Sequence, residues 1–183
     1  MRQVVISLCD YTGIWGGQYE DEYDVLYVDL QRDDSDIRMF KYLVGRVVRG
    51  VICQPPCDAF AGSGARWWAE KGLEPLLAGL ALVDSCLRIV QCHNPDWWVL
   101  ENPVGRLRHY IGPPVMYYHP CDYGDPYTKK TCLWGEFNTD LPRTPVEPTE
   151  GSKMWRLGPS PERKNLRAAT PTGFAKAFRA ANG

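Results

Sequence analysis

Gln3-Val4-Val5-Ile6-Ser7-Leu8-Cys9-Asp10-Tyr11-Thr12-Gly13-Ile14-Trp15-Gly16-Gly17 is the stretch on which the fold turns. Residues 3–8 (QVVISL), with the β-branched Val4, Val5 and Ile6, read as a strand. A glycine turn follows at once. The first half of the chain alternates such short apolar runs with helix-period segments, which predicts an α/β protein: a mostly parallel sheet with helices on both faces.

The same reading places strands at Asp24 to Asp29, Val51 to Gln54, Trp97 to Leu100, Val115 to His119 and Thr131 to Trp134. Pro55-Pro56 ends the third, because proline cannot continue a central ladder. Met39, Phe40, Leu43, Val44, Val47 and Val48 recur at three- and four-residue steps and predict a helix over 37–49 that stops at Gly50. Leu76, Leu77, Leu80, Val83, Leu87 and Val90 predict a longer one from Pro75 to Gln91. Residues 136–165, rich in Pro, Thr, Glu and Gly, read as a long ordered loop, and Thr170-Pro171 opens a final helix.

At 183 residues the chain is expected to form a single domain. Its 23% charged and 44% hydrophobic residues are those of an ordinary globular protein. No uninterrupted apolar run approaches bilayer length and the first residues carry no signal pattern, so a cytoplasmic protein without membrane contact is expected. Seven cysteines at irregular spacing argue against a disulfide framework. All but Cys57 lie in or beside expected strands and helices and read as core. Cys92-His93 and His119-x-Cys121 do not form paired metal knuckles, so no metal site is expected. Net charge is −1, but residues 1–40 carry a balance of −6 and residues 153–183 one of +6. That basic segment is either a solvated helix face or a surface for phosphates.

In open α/β sheets ligands bind beyond the carboxyl ends of the strands. There the sequence puts Asp10 with the glycine turn, then Asp29, Pro55-Pro56-Cys57 and Glu101-Asn102-Pro103. An acid ending the second strand can accept both ribose hydroxyls of a nucleoside, although Gly13, Gly16 and Gly17 lack the dinucleotide spacing. The same residues are also compatible with a plain tight turn and a surface acid. Cys57 is either an inert thiol or a nucleophile, with the small-residue stretch 58–64 behind it as a mobile loop.

Taken in order, these motifs resemble those of the C5-cytosine DNA methyltransferases, above all the compact phage-encoded type. Residues 10–17 are similar to the family's cofactor loop, Pro55-Pro56-Cys57 to its nucleophile motif and Glu101-Asn102-Pro103 to its Glu-Asn motif. Asp122 to Trp134 resembles the compact form of the later basic motif, and Ala169 to Ala175 the last one. The resemblance implies a Rossmann-like S-adenosylmethionine-dependent domain that methylates C5 of cytosine in DNA and releases S-adenosylhomocysteine. Cys57 would add to C6 of a flipped base, Glu101 would bond N3, and Lys129 would assist them. Asp10, Tyr11, Gly13, Trp15, Gly16, Asp29, Leu30, Asp36, Ile37, Pro55 and Thr170 would hold the cofactor.

Lys130, Arg163, Lys164 and Arg167 would meet DNA, mainly at phosphates. Asp58 stands where larger members carry Gln, and Lys129-Lys130 where they carry arginines. Only ~30 residues separate Trp134 from the last motif, short of a recognition domain of ~50 or more. A partner chain supplying sequence recognition is therefore a further expectation, as is the host cytoplasm if the chain is phage-encoded. Two alternatives stay open: a catalytically idle nucleic-acid or partner-binding protein on the same fold, and an enzyme modifying free cytosine nucleotides.

Overall fold

A computed structural model describes residues 2–156, 160 and 163–183, without the side chains of Met154, Trp155 and Lys164. Six strands, β1 (Val4–Leu8), β2 (Asp24–Val28), β3 (Val48–Cys53), β4 (Trp97–Pro103), β5 (Met116–Tyr118) and β6 (Thr131–Glu136), form one sheet in the order β2-β1-β3-β4-β6-β5. The helices are α1 (Trp68–Lys71), α2 (Glu74–His93), α3 (Arg108–Ile111), α4 (Lys153–Arg156), α5 (Arg163–Ala168) and α6 (Thr172–Ala181).

The period of two along each strand sorts side chains between two apolar clusters. Val4, Ile6, Leu8, Val51, Cys53 and Leu100 face α2, which contributes Leu76, Val83, Cys86 and Ile89. Val5, Ile52, Val99 and Leu133 face the other way, onto Trp15, Tyr19 and the α6 residues Phe174 and Phe178. Helices thus cover both faces, as the sequence implies.

The sheet is mixed, which corrects the mostly parallel expectation: β2, β1, β3 and β4 pair in parallel, and β6 runs antiparallel to both β4 and β5. Residues 119–130, with a single 3-10 turn at Pro120–Asp122, join β5 to β6. The connection contains no α-helix, the usual element of a parallel crossover. Pairing with β6 also carries β4 through Glu101 and Asn102 to Pro103, past the expected end at Leu100.

The helix expected over 37–49 is absent. A 3-10 turn at Ile37–Met39 is followed by irregular chain, and Val48 begins β3. Its polar groups are met from α2 instead: Arg88 donates to the carbonyls of Ile37, Arg38 and Phe40, and His93 Nε2 accepts from Leu43 N–H at 3.1 Å. Ile37, Phe40 and Leu43 pack inward while Met39, Val44 and Val47 are exposed. Gly50 is no helix stop. It lies within β3, where a Cβ would stand 2.1 Å from the Trp97 ring.

α2 starts and ends close to expectation, and its 20 residues include an 18-residue window of mean hydropathy 1.5, long and apolar enough to cross a bilayer by length and composition. That departs from the sequence reading, although one side of the helix packs on the sheet. The expected loop over 136–165 holds α4 and the start of α5. Cys53, Cys86 and Cys132 are buried as expected, but Cys92 is exposed and Cys9 and Cys121 are half-buried.

Candidate active site

Parallel register brings the ends of β1, β3 and β4 together. Leu8 pairs with Cys53 and Cys53 with Leu100, so Cys9, Gln54 and Glu101 emerge side by side. Gln54 N–H continues the ladder to the Leu8 carbonyl at 2.9 Å, and the Pro55 carbonyl accepts from buried Asn102 Nδ2 at 2.9 Å. Asn102 therefore fixes the Pro-Pro corner that presents Cys57.

The segment after Cys57 is anchored rather than free. The Cys57 carbonyl accepts from the N–H groups of Phe60 and Ala61, Phe60 is fully buried, and Ala61 forms a bridge with Gly105. Arg106 Nε donates to the Ala59 carbonyl at 2.7 Å. These contacts correct the mobile-loop reading for residues 57–62. Beyond them a 3-10 helix, Gly62–Trp67, carries the exposed Trp67.

Two cavities adjoin at Cys57. One of about 980 Å³ is lined by Asp10, Tyr11, Asp29, Leu30, Asp36 and Ile37, and also by Cys57, Arg66, Arg163 and Arg167. The other, about 500 Å³, is lined by Cys57, Glu101, Pro55, Lys129, Lys130 and His119. Cys57 and Arg167 lie on both.

Burial pushes the Cys57 thiol up from its ordinary value; Glu101 and Asp58 add to the rise, and Lys129 and Arg167 oppose it. Burial also raises Glu101, with Lys129 acting against it, Nζ 4.0 Å from Oε1. Lys129 Nζ donates to the Arg167 carbonyl at 2.9 Å, which links the carboxyl to α5. A carboxyl that keeps its proton beside a thiol removes one of the charges opposing a thiolate. Burial and mutual charge thus oppose ionisation of both groups together.

The other expected cofactor residues divide. Asp29 is buried at the cavity edge, its Oδ1 accepting from Gln31 and Arg32 N–H, while Oδ2 has no hydrogen bond among the described residues. Asp36 lines the cavity, but Arg38 holds both its oxygens and draws its carboxyl below the ordinary value. Asp10 is an internal anchor, accepting from Gly13 N–H, Gly16 N–H and Ser7 Oγ–H.

Trp15 is fully buried, edge-on to Phe174 and Phe178 at 5.0 Å, and it does not reach the cavity. Gly16 lies where a Cβ would meet Tyr27 at 2.7 Å, and Gly13, with φ +67°, is faced by Arg32. Both glycines serve close packing of the turn and line neither cavity. Thr170 is buried too, its Oγ1 accepting from Gln54 Nε2 at 2.8 Å, which ties the last segment to the end of β3.

Of the expected DNA contacts, Lys130 is exposed, its Nζ 4.9 Å from the Tyr117 ring. Arg163 and Arg167 are half-buried; both line the larger cavity, and Arg167 the smaller one as well. The Lys164 side chain lies outside the described residues. Among the described residues no group of three or more His, Cys, Asp or Glu is placed to hold a metal. The sequence reading passed over Gln54, which lines both cavities with Oε1 buried and unpartnered. Its position at a strand end was the available signal.

No family model and no curated protein matches the chain. Among solved structures it is similar to a protein described as a DNA modification methyltransferase encoded within an E. coli prophage, with TM-score 0.52 and 16% identity over 87% of this chain. A methyltransferase of Entamoeba histolytica aligns over the same share, at TM-score 0.45 and 12% identity. The chain spans 49% of the first protein and 61% of the second. The likeness to the prophage protein shows that this chain has a methyltransferase-type α/β fold.

Proposed function

We propose that the chain transfers a methyl group from S-adenosylmethionine to C5 of cytosine in DNA through a covalent adduct of Cys57 at C6. One observation carries this reading: Cys57 lies where the two cavities meet, with an acidic strand end on one side and Glu101 on the other. The larger cavity fits an adenosyl ligand, because Asp29 keeps one oxygen uncommitted at the end of β2, where a ribose would lie.

Cytosine C5 is unreactive until something adds to the ring. Cys57 Sγ, as thiolate, forms the bond to C6, and the displaced electron pair moves toward N3, where Glu101 delivers its proton. C5 is then an enamine carbon. S-adenosylmethionine supplies a methyl group activated by its sulfonium charge and leaves as S-adenosylhomocysteine. Loss of the C5 proton to solvent and of Cys57 Sγ from C6 restores the aromatic ring, and Glu101 recovers its proton from N3. Lys129 steadies the thiolate and, through the Arg167 carbonyl, holds α5 against the site. In a duplex the base reaches Cys57 only when flipped.

In this reading residues 1–183 act as one catalytic unit, Lys130 lies on the DNA side, and a partner chain supplies what sequence recognition there is. Incubation of purified chain, labelled S-adenosylmethionine and duplex DNA, followed by nucleoside mass spectrometry, tests it. 5-Methylcytosine is the expected product, lost in Cys57→Ala. Label in adenine, or in cytosine N4, overturns the mechanism.

A further inference from the structure

The larger cavity holds charges of both signs, and they differ in how far they are satisfied. Its acids are mostly engaged: Asp36 by Arg38, and Asp10 by the glycine turn. Its arginines are not. Among the described residues Arg66, Arg163 and Arg167 form no ion pair with a carboxylate, and Arg163 Nε is buried without a hydrogen-bond partner.

Arg163 and Arg167 are four residues apart on α5, hence on one face of it, and both line the cavity. An N–H removed from water and left unpaired is costly, and a guanidinium fork matches a carboxylate in shape and charge. The wall is thus ready for an anion that the described residues do not provide.

We propose that Arg163, with Arg167 beside it, binds the carboxylate of the amino-acid part of an adenosyl ligand, so that the cavity selects adenosyl amino acids over adenosines lacking that group. The assignment rests on reading the larger cavity as the S-adenosylmethionine site. A DNA phosphate is the other possible anion. Arg163 lines the cavity that holds Asp29 and Asp36 and not the one that holds Glu101 and Lys130, and its Nε is turned away from solvent. Both facts favour the carboxylate.

Calorimetry with S-adenosylhomocysteine and with 5′-methylthioadenosine, which shares the nucleoside and sulfur but has no carboxylate, separates the possibilities. Arg163→Met should weaken S-adenosylhomocysteine by about tenfold or more. It should leave 5′-methylthioadenosine within about twofold, and Arg163→Lys should recover part of the loss. Unchanged S-adenosylhomocysteine affinity overturns the proposal, as does an equal loss of both ligands, or a loss confined to duplex DNA. If the wild-type chain binds neither adenosyl ligand, the cofactor reading falls along with it, a result distinct from an Arg163 variant that binds normally.

Discussion

Replacing Asp10 with alanine removes the acceptor around which the first strand-end turn is built. The carboxylate is 2% exposed; Oδ2 accepts from Ser7 Oγ–H at 3.0 Å and Gly16 N–H at 2.9 Å, and Oδ1 from Gly13 N–H at 3.0 Å. Gly13 N–H retains a second acceptor, the Asp10 carbonyl at 3.0 Å, so two buried donors are stranded. At about 1–3 kcal/mol for each, the cost is about 2–6 kcal/mol. That is a large share of a domain's net stability of about 5–15 kcal/mol. Asp10→Asn keeps one oxygen and should lose less, about 1–3 kcal/mol. Ser7→Ala removes a donor together with its need for a partner and should cost about 1 kcal/mol. Combined with Asp10→Ala it should show less than additive loss, since one stranded donor is gone. Urea unfolding at constant m compares all four variants with wild type. An Asp10→Ala protein within about 0.5 kcal/mol of wild type, or strict additivity in the double variant, refutes the anchoring role.

Cys57→Ala should abolish methyl transfer while S-adenosylhomocysteine affinity, read by calorimetry, stays within about twofold, because in the proposed reaction the thiol bonds the base and not the adenosyl ligand. Gly105→Ala places a Cβ 1.9 Å from the Phe60 carbonyl, so the 57–62 segment must shift. The expected cost is about 1–3 kcal/mol in urea unfolding, with slower attack by Cys57. Glu101→Gln should slow transfer by about 10²–10⁴-fold. Burial raises the folded Glu101 carboxyl, so its contribution to stability is full below the unfolded carboxylate range and is lost as pH rises through the folded value. Glu101→Gln should therefore melt higher than wild type at pH 8 and not at pH 4, and equal shifts at both would contradict the sign. Duplex binding should weaken steeply with salt and equally for all sequences; a salt-insensitive affinity in filter binding would show that phosphates do not carry it.

Much of the fold was legible because burial on two faces leaves a plain pattern. Val4, Val5 and Ile6 read as a strand whatever surrounds them, and Pro55-Pro56 marks the end of β3 in the sequence as in the structure. The direction of β6 was not legible, since strand composition is the same either way and the partner lies some thirty residues upstream. The 37–49 segment misled because its apolar spacing suits a helix, whereas Arg88 and His93, far along the chain, take up its polar groups. At the site, motif order put Cys57, Glu101, Asp29 and Lys129 on the cavities. It could not tell that Asp10 and Trp15 face inward, or that the basic residues of α5 line a cavity, because those outcomes depend on how α5 and α6 pack.

The covalent step is the centre of the account, and a duplex containing 5-fluorocytosine interrogates it directly. Fluorine cannot leave C5 as a proton does, so a methylated adduct cannot collapse. With S-adenosylmethionine present, a denaturation-resistant complex should form, and peptide mass spectrometry should locate the DNA on Cys57. Cys57→Ala should give none. A complex attached to another cysteine, or transfer that proceeds on ordinary cytosine in Cys57→Ala, would contradict the account.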